Sequence, residues 1–594
     1  MKNLGEYSKE WIGALIYMVL LWVTTLTVDD YYGKPDLVFF MILFFVIPIA
    51  IIGLIDGKKT LKLSVIDILA LVWMSYAFLN ALFSPVSHSK DALIPLTTTF
   101  VLYAILRLAL PQDKSLDKTL VAGIAVFGLY ECVIGLLQLY GLERSNHAVF
   151  RITGTFFNPG PYSIYVATML AVCLAYCYKR YGIYSLRNHI GGKIRVHLAG
   201  SLLVLLCAAG CIVGLITLPA TLSRTAFVAL AVVLLILFGR RNPRLLLAAM
   251  VLALVFGAGL YFLKKDSADG RLLMWIVSLR AICGHPVFGS GIGGFHKAFS
   301  DSQKDFFMVN PDSSFASVSG APEYAFNDFL EVGVEQGLVG MLLFTSIIII
   351  SVCKLLRGKE EIGYGLIALS VCAMFSYPLS LLPFRILGGL FVARAAALDK
   401  RPLVVMAGWH KLVLSITSCV ICVSLLIPIN IRIKDKVNAV KDFSIDKVLR
   451  IRTVNDLHLE RSKILCDHPK YLFWLGKRLR NVGRYEESLD AFRLGTEVSC
   501  DNMFYVMIGN VCISLKRFED AEKHYKTAHY MQPCKLYPLH QLLSLYENEG
   551  REEDASRMAQ AILDAKPKIR SSATDEMKTY AREFLARKSI VINH

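Results

Sequence analysis

Charged residues are scarce in this sequence. Of its 594 residues only 19% are Asp, Glu, Lys or Arg, whereas 55% are hydrophobic, a balance that soluble globular proteins of this size rarely show. Recognisable metal ligands are lacking as well: no cluster of Cys and His has the spacing of a zinc site, and no carboxylates form an Asp-x-Asp metal motif. The composition therefore indicates a membrane protein and predicts neither a metal nor a cofactor.

Basic residues outnumber acidic ones and give the chain a formal net charge of +17. A nucleic-acid-binding protein would gather its Lys and Arg on one face, often between exposed aromatic residues. Here they lie mostly in short strips between apolar runs, which is the distribution that orients membrane helices. We therefore expect contacts with membrane lipid and none with nucleic acid.

Apolar runs of about 20 residues, the length that crosses the hydrocarbon core of a bilayer, recur along the first part of the chain. They predict an all-α, polytopic membrane domain over residues 1–430 with about thirteen transmembrane helices. The first run lacks a signal-peptide cleavage pattern, so we expect it to be retained. The run at 386–398 is the most irregular, because it is short and contains Arg394. The predicted spans are 11–28, 37–55, 64–83, 93–110, 119–140, 161–178, 200–220, 225–239, 245–263, 337–356, 363–382, 386–398 and 410–429.

The short loops between these spans alternate between basic and nearly neutral. Because cytoplasmic loops are rich in Lys and Arg, this alternation predicts a cytoplasmic amino terminus. The long loop 264–336 and everything after residue 430 are then extracytoplasmic, in the periplasm. The basic loops contain Lys58, Lys59 and Lys62; Arg107, Lys114 and Lys118; Lys179, Arg180, Arg187, Lys193 and Arg195; Arg240, Arg241 and Arg244; Lys354, Arg357 and Lys359; and Lys400 and Arg401.

Residues 440–594 have the composition of a soluble helical domain and repeat with the 34-residue period of tetratricopeptide motifs. Three similar stretches, GRYEESLDAF, KRFEDAEKHY and GREEDASRMA, begin at residues 483, 516 and 550. Such helix pairs stack into an α-solenoid whose concave surface usually binds a polypeptide. We expect a periplasmic repeat domain that either binds a protein partner or serves as a structural cap.

The long loop 264–336 contains two recognisable segments. Residues 271–283 have an apolar stripe at helical spacing but are too few to cross a bilayer, so they predict a helix along the outer membrane face. The glycine-rich stretch FGSGIGGF, which starts at residue 288, superficially resembles a dinucleotide-binding loop. No predicted strand precedes it, and we therefore interpret it as a turn.

Two arginines stand at the extracytoplasmic ends of helices, where charged residues are otherwise few. Arg224 lies between the seventh and eighth spans, and Arg271 opens the helix of the outer loop. A single arginine at this depth commonly pairs with a lipid phosphate. Two that converge on one cavity would suit a diphosphate, because a guanidinium binds phosphate oxygens in pairs and keeps its charge.

Four stretches in a fixed order resemble the O-antigen ligase and polymerase superfamily of integral-membrane, lipid-diphosphate-dependent glycosyltransferases. The third and fourth are the most specific, since they combine Arg, Trp, His-Pro and Gly-x-Gly, and then Asn-x-x-Leu and Glu-x-Gly. The resemblance covers roughly residues 90–400 and implies a GT-C-like membrane fold with an extracytoplasmic active site. The stretches are RITGTFFNPGPYSIY at 151, SRTAF at 223, GRLLMWIVSLRAICGHPVFGSGIGGF at 270 and FNDFLEVGVEQGLVG at 326.

The resemblance implies that Arg224 and Arg271 bind the diphosphate of an undecaprenyl-linked glycan beneath the loop 264–336. Arg151 and Asn327, which lie in the first and fourth stretches, are further candidates for binding the glycan.

The catalytic base departs from the family pattern. Many members carry His immediately before the Asn of the fourth stretch, where this chain has Phe326. A sugar hydroxyl needs a proton acceptor when it attacks, while the arginines neutralise the leaving diphosphate. The candidate bases in this chain are His285, Glu323 and Glu335.

The sequence thus predicts a metal-independent enzyme of the bacterial inner membrane that passes a glycan from undecaprenyl diphosphate to a hydroxyl of lipid A core or another surface acceptor. Polymerisation of repeat units and O-glycosylation of protein stay open, and the repeat tail favours the latter. A transporter or flippase is the competing class, for which polar and broken helices near the bilayer midplane are expected. Glu131 and Arg394 are the main charges inside predicted spans.

Overall fold

The structure is a computed structural model. It describes residues 4–26, 60–86, 88–109, 116–181, 202–238, 265–399, 401–448, 454–565, 567–568 and 570–592. Helices make up nearly all of the described regular structure, and the helical fold with its carboxyl-terminal repeats is confirmed. One small departure from an all-α fold is a two-stranded antiparallel sheet, in which Leu61–Leu63 pairs with Val404–Met406.

In the described part of the membrane domain, six helices are long and apolar enough to cross a bilayer. The predicted spans 37–55 and 245–263 lie outside the described residues, so the count of thirteen stays a prediction. The six helices are Val65–Phe83, Asp117–Leu139, Pro159–Tyr181, Leu202–Ala220, Asp328–Gly358 and Gly408–Val448. Shorter apolar helices among them are Leu4–Val23, Ile94–Ala109, Arg224–Phe238, Ile362–Phe375 and Leu382–Ala397.

The described parts of the loops that the charge pattern assigns to the cytoplasm meet at one end of the helix bundle. The small sheet joins two of them directly, because Lys62 pairs with Val405. Ion pairs join others, each between a cation and a carboxylate of another segment of the chain. They are Arg107 with Asp67 (2.7 Å), Lys179 with Glu361 (3.0 Å), Arg394 with Asp117 (2.6 Å), and Lys354 with Asp399.

At the other end, the loop that carries the first motif folds back onto the helix Asp117–Leu139. Glu131 is fully buried in that helix, and its carboxylate accepts hydrogen bonds from the backbone amide (3.0 Å) and hydroxyl (2.6 Å) of Thr155. Gln138 likewise accepts the amides of Thr153 and Gly154, both at 2.8 Å. Much of this motif therefore serves to fix the loop, because buried polar groups must be hydrogen-bonded.

A kink divides the helix Asp328–Gly358, hereafter the kinked helix. Gly337 has φ +65° and ψ −169°, which only glycine adopts readily. Every helical carbonyl that the kink releases must find another donor. The loop of residues 285–294, hereafter the glycine turn, supplies two of them: Ser290 donates to the Val334 carbonyl (2.8 Å) and Gly291 to that of Glu335 (2.9 Å).

The glycine turn approaches the kink so closely that side chains would not fit between the two backbones. A Cβ atom on Gly337 would lie 2.2 Å from the Val287 carbonyl oxygen, and one on Gly289 would lie 2.4 Å from that of Glu335. This explains the glycine-rich sequence structurally. As predicted, it forms a turn, and its amides face the kinked helix.

The carboxyl-terminal region stacks helix pairs. Its pairs are tight because small residues sit where two helices meet: Gly476 against Phe492, and Gly509 against Tyr525. The predicted boundary between residues 430 and 440 lies inside one continuous helix, Gly408–Val448, which leads from the bundle towards the repeats. The repeat helices are Asp456–Ile464, Pro469–Asn481, Tyr485–Val498, Met503–Ser514, Phe518–Met531, Tyr537–Asn548, Glu552–Asp564 and Ser572–Ile592.

The repeat region packs against the loop 264–336, which contains the helices Lys265–Gly284 and Phe295–Val309. Gln303 donates to the Met531 carbonyl (2.5 Å), and Lys297 donates to the Tyr505 hydroxyl (2.9 Å). On the bundle side, Asp91 pairs with Arg432 at 2.8 Å and Lys436 at 3.2 Å. The first two contacts join the outer loop to the repeats, and the ion pairs of Asp91 join the bundle to the helix Gly408–Val448 that leads to the repeats.

Candidate functional site

Two cavities open at this end of the bundle, and a short stretch of chain, residues 320–326, separates them. We call this stretch the partition segment, since Ala321 and Pro322 line both cavities. The kinked helix holds it in place, because the Ala325 amide donates to the Glu331 carboxylate (3.0 Å). Residues of the predicted site therefore fall on two sides of one wall.

The larger cavity, hereafter the carboxylate cavity, has a volume of about 1230 Å³. It extends from the membrane helices to the first repeats and is larger than the pockets of about 300–1000 Å³ that hold most small ligands. A polymeric ligand such as a glycan or a peptide suits that size. The ionisable residues in its wall are His88, Asp91, His296, Glu323, Glu331, Glu335, Arg385, Lys436, Asp467, His468, Lys470 and Asp501.

Glu335 is fixed in the wall of the carboxylate cavity by the glycine turn. Its carboxylate accepts a hydrogen bond from the Gly293 amide at 3.1 Å. The sharp turn of the backbone brings this amide inward, because Gly293 has φ +82°. The predicted base Glu335 is therefore in the cavity, two residues before the kink in its helix.

The smaller cavity, hereafter the arginine pocket, has a volume of about 340 Å³. Arg271 lines it, and Arg224 stands beside it. The two helices are tied crosswise, because the Arg224 guanidinium donates to the Ser267 hydroxyl (3.0 Å) and the Arg271 guanidinium donates to the Thr225 hydroxyl (3.4 Å). The pocket is lined by Asp266, Ser267, Gly270, Arg271, Leu273, Met274, Gln303, Val318, Gly320, Ala321, Pro322, Phe326 and Lys568.

Arg271 is enclosed without a compensating anion. Within the described part of the chain, neither Arg271 nor Arg224 forms a salt bridge, and their side-chain hydrogen bonds go to hydroxyls. Burial, and then the positive charge of Arg224, lower the pKa of Arg271 to about 10. With this pKa, the Arg271 guanidinium remains charged at neutral pH, so it suits an anionic ligand.

Phe326, the residue in place of the family histidine, forms part of the wall between the arginines and the carboxylates. Its backbone has φ +51°, unusual for a non-glycine residue. Its ring lies 5.4 Å from the Arg271 guanidinium and 5.0 Å from the Tyr377 ring. Phe326 cannot transfer a proton, and these contacts indicate that it packs against the arginine instead.

Tyr377 lies between the predicted base Glu323 and Arg271. Burial, and then the charge of Glu323, raise the pKa of Tyr377 to about 12, while the charge of Arg271 acts in the opposite direction. Its ring also stacks on Tyr324, with centroids 4.3 Å apart. Glu323 therefore lines the carboxylate cavity and has a neighbour, Tyr377, that also interacts with Arg271 of the arginine pocket.

The remaining predicted residues lie elsewhere. His285 and Arg151 are exposed and line neither cavity. Asn327 caps the kinked helix, since its side-chain oxygen accepts the amides of Phe329 (3.0 Å) and Leu330 (3.1 Å). From the first motif, Phe157 reaches the carboxylate cavity, whereas Phe156 is fully buried against Phe384.

Sequence reasoning missed His296, which follows the glycine turn and lines the carboxylate cavity. Burial, and then the nearby His88, lower the pKa of His296 to about 4, although a hydrogen bond with the Glu323 backbone acts in the opposite direction. Its imidazole is therefore neutral at pH 7. The signal was its place two residues after the last glycine, since a tight turn against the kinked helix carries the side chains that follow it inward.

The site region matches a known family. Residues 209–345, which contain Arg224, Arg271, Glu323 and Glu335, match the family model described as O-antigen ligase. Residues 504–533 match a model described as a tetratricopeptide repeat. Both parts of the resemblance seen in the sequence are thereby confirmed. No curated protein matches the chain.

Proposed function

We propose that this membrane protein of the O-antigen ligase type transfers a glycan from undecaprenyl diphosphate to an acceptor hydroxyl on the periplasmic face of the bacterial inner membrane. The observation that carries the proposal is the pair of Arg271, which lines the arginine pocket, and Arg224, which lies beside it; neither has a carboxylate partner among the described residues. A buried cation without an anion is costly. A diphosphate would relieve that cost by bringing two or more negative charges.

The arginines would act mainly on the leaving group. In the reaction, the acceptor oxygen forms a bond to the anomeric carbon of the donor sugar while the bond from that carbon to the phosphate oxygen breaks. The bonding electron pair leaves with the diphosphate, and fixed positive charges stabilise it most as its charge develops. This chemistry needs no metal in the proposed mechanism.

The proton of the acceptor hydroxyl would pass to Glu323. This carboxylate lines the carboxylate cavity, and it is close enough to Tyr377 to raise that residue's pKa, as Arg271 is close enough to lower it. An in-line displacement requires the base on the acceptor side of the anomeric carbon, opposite the leaving diphosphate. The carboxylate cavity that Glu323 lines is the proposed acceptor side. Glu335 is the second candidate, but its carboxylate already accepts the Gly293 amide.

The acceptor would enter through the carboxylate cavity, whose wall includes residues of both the membrane helices and the repeats. Lipid A core is the acceptor expected of a ligase. A growing polysaccharide or a protein serine or threonine would make the enzyme a polymerase or a protein O-glycosyltransferase. The repeat tail, which matches a tetratricopeptide model, supports a polypeptide as a binding partner.

The contacts of the two charged residues inside predicted spans, Glu131 and Arg394, support a transporter less well than a transferase. Glu131 binds Thr155, and Arg394 binds Asp117. A transporter would instead use such groups along a path through the bilayer. Both charges are explained by structural hydrogen bonds.

The proposal can be tested in a deletion strain complemented with wild-type or variant protein. The strain should accumulate lipid-linked glycan at the periplasmic face, and wild-type protein should clear it. A flippase defect would trap the same glycan at the cytoplasmic face. Mass spectrometry of lipopolysaccharide, polysaccharide and periplasmic glycoprotein would identify the product class. A deletion strain with no accumulated lipid-linked glycan would contradict the proposed transfer.

A further inference from the structure

The arginine pocket contains two polar residues that the reaction described above does not use. Gln303 comes from the helix Phe295–Val309, and Lys568 comes from the chain after the repeat helix Glu552–Asp564. Gln303 is buried and Lys568 is exposed. They place a neutral acceptor and a third cation in the same pocket as Arg271.

Gln303 is only 1% exposed, and its hydrogen bonding is incomplete. Its amide nitrogen donates to the Gly320 carbonyl (3.1 Å) and to the Met531 carbonyl (2.5 Å). Both amide hydrogens are therefore used, whereas the side-chain oxygen has no partner in the described structure. A buried acceptor without a donor is energetically unfavourable. A ligand hydroxyl that donates to this oxygen would remove the penalty.

The repeat region sets the orientation of this amide. Because the Met531 carbonyl ends a repeat helix and accepts one amide hydrogen of Gln303, the amide cannot flip without losing two bonds. Its oxygen is thus held as a neutral acceptor in a pocket whose lining also includes Arg271, Lys568 and the carboxylate residue Asp266. An acceptor suits the hydroxyl of a sugar and repels a phosphate oxygen.

Lys568 adds positive charge to the pocket from the repeat region. Its ammonium nitrogen lies 3.9 Å from the position that a Cβ atom on Gly320 would occupy. No salt bridge of Lys568 is found within the described ranges. The absence of a side chain on Gly320 leaves this lysine access to the pocket, where a phosphate oxygen bound by Arg271 would lie within range of a long side chain.

We infer that the arginine pocket is a glycosyl-diphosphate subsite completed by the repeat region, in which Lys568 contacts the diphosphate and the Gln303 side-chain oxygen accepts a hydroxyl of the first sugar. The inference rests on the proposed function. It adds a residue that binds the first sugar, Gln303, and a role in donor binding for the repeat region. The pocket volume of about 340 Å³ is at the small end for ligand sites. It suits one sugar and a diphosphate, with the rest of the glycan outside.

The test measures binding of two matched probes to the full-length protein in detergent at low salt, where charge contacts are least screened. The probes are farnesyl diphosphate and a panel of farnesyl diphosphates that carry one monosaccharide. Lys568→Gln should weaken binding of every probe about 5-fold, and Lys568→Arg should restore it. Lys523→Gln is the matched control, because Lys523 is exposed on a repeat helix and lines neither cavity.

Gln303→Met tests the sugar contact through the ratio of the affinities for a glycosylated probe and for farnesyl diphosphate. Partial unfolding would weaken the binding of both probes and leave this ratio unchanged. Wild-type protein should bind at least one glycosylated probe about 10-fold more tightly than farnesyl diphosphate, and the variant should lose that preference. Wild-type affinity in Lys568→Gln, or an unchanged preference in Gln303→Met, would overturn the inference. If Arg271→Ala also binds both probes normally, the diphosphate site itself is wrong. Loss in Arg271→Ala alone would leave the proposed function standing.

Discussion

Arg271 and Arg224 each donate a hydrogen bond to a hydroxyl on the helix that carries the other. Far apart in sequence, they are thus fixed at one place by two small side chains, Ser267 and Thr225. Like charges repel unless an anion lies between them. The arrangement keeps an electropositive pocket ready for a ligand, and the crosswise bonds hold the cations without neutralising them.

Arg271→Ala and Arg224→Ala should each lower the rate of glycan transfer by about 100-fold or more, because each removes fixed charge from the leaving group. The protein should still insert and unfold at a near-normal temperature. Arg280→Ala is the control, since Arg280 lies on the same helix as Arg271, is exposed and packs on Phe306. Labelled product from lipid-linked glycan would be measured; normal rates in both variants would refute the diphosphate assignment.

Glu323→Gln should reduce turnover by about 100-fold and leave donor binding unchanged, because the variant removes the proton acceptor but no cation. Glu335→Gln preserves an oxygen that can accept the Gly293 amide, so its smaller effect serves as the comparison. Single-turnover rates and donor affinity would be measured for both. The opposite ranking would assign the base to Glu335.

Gly337→Ala should destabilise the protein by about 1–3 kcal/mol, because alanine is strained at φ +65° and its Cβ would lie 2.2 Å from the Val287 carbonyl oxygen. Thermal unfolding in detergent measures the change. Gly284→Ala is the matched control, since no atom lies within 4 Å of its Cβ position. Equal unfolding temperatures for the two variants would argue against tight packing at the kink.

Stability should fall as the pH drops from about 6.5 towards 4, partly because of His296. Its pKa is about 4 in the folded protein, chiefly through burial, against 6.5 for the ordinary group. The unfolded state therefore binds more protons in this window, and acid favours unfolding. His296→Gln should remove up to about 3 kcal/mol of the pH-dependent change. The other buried histidines are present in both the wild-type protein and the His296→Gln variant. The difference between the stability profiles of these two proteins against pH therefore isolates the contribution of His296.

The orientation of the chain can be tested by labelling with a membrane-impermeant maleimide. In a variant whose exposed Cys283 and Cys353 are replaced by Ser, a cysteine at Ser314 should react from the periplasm. One at Arg401 should react only after the inner membrane is opened. Both positions are exposed. Labelling of Arg401→Cys from outside would reverse the topology and place the arginine pocket in the cytoplasm.

The sequence alone determined the helical class, the repeats and the arginine pair, because these depend on apolar run length, a 34-residue period and local motifs. Its loop charges also indicated which loops belong together: within the described residues, two of the basic loops meet where Lys62 pairs with Val405 across the small sheet. A local pattern is enough to predict these features, because the thickness of the bilayer sets the length of an apolar run and the repeat unit sets the 34-residue period.

Only the tertiary structure decided which candidates share a cavity. It separated Arg271 from Glu335 by the partition segment, left His285 exposed and brought His296 inward. It also showed that Gln303 meets the Met531 carbonyl across the interface with the repeats. These relations depend on how a kinked helix, a glycine turn and a distant repeat pack together. Such contacts between remote segments leave no local pattern in the residues themselves.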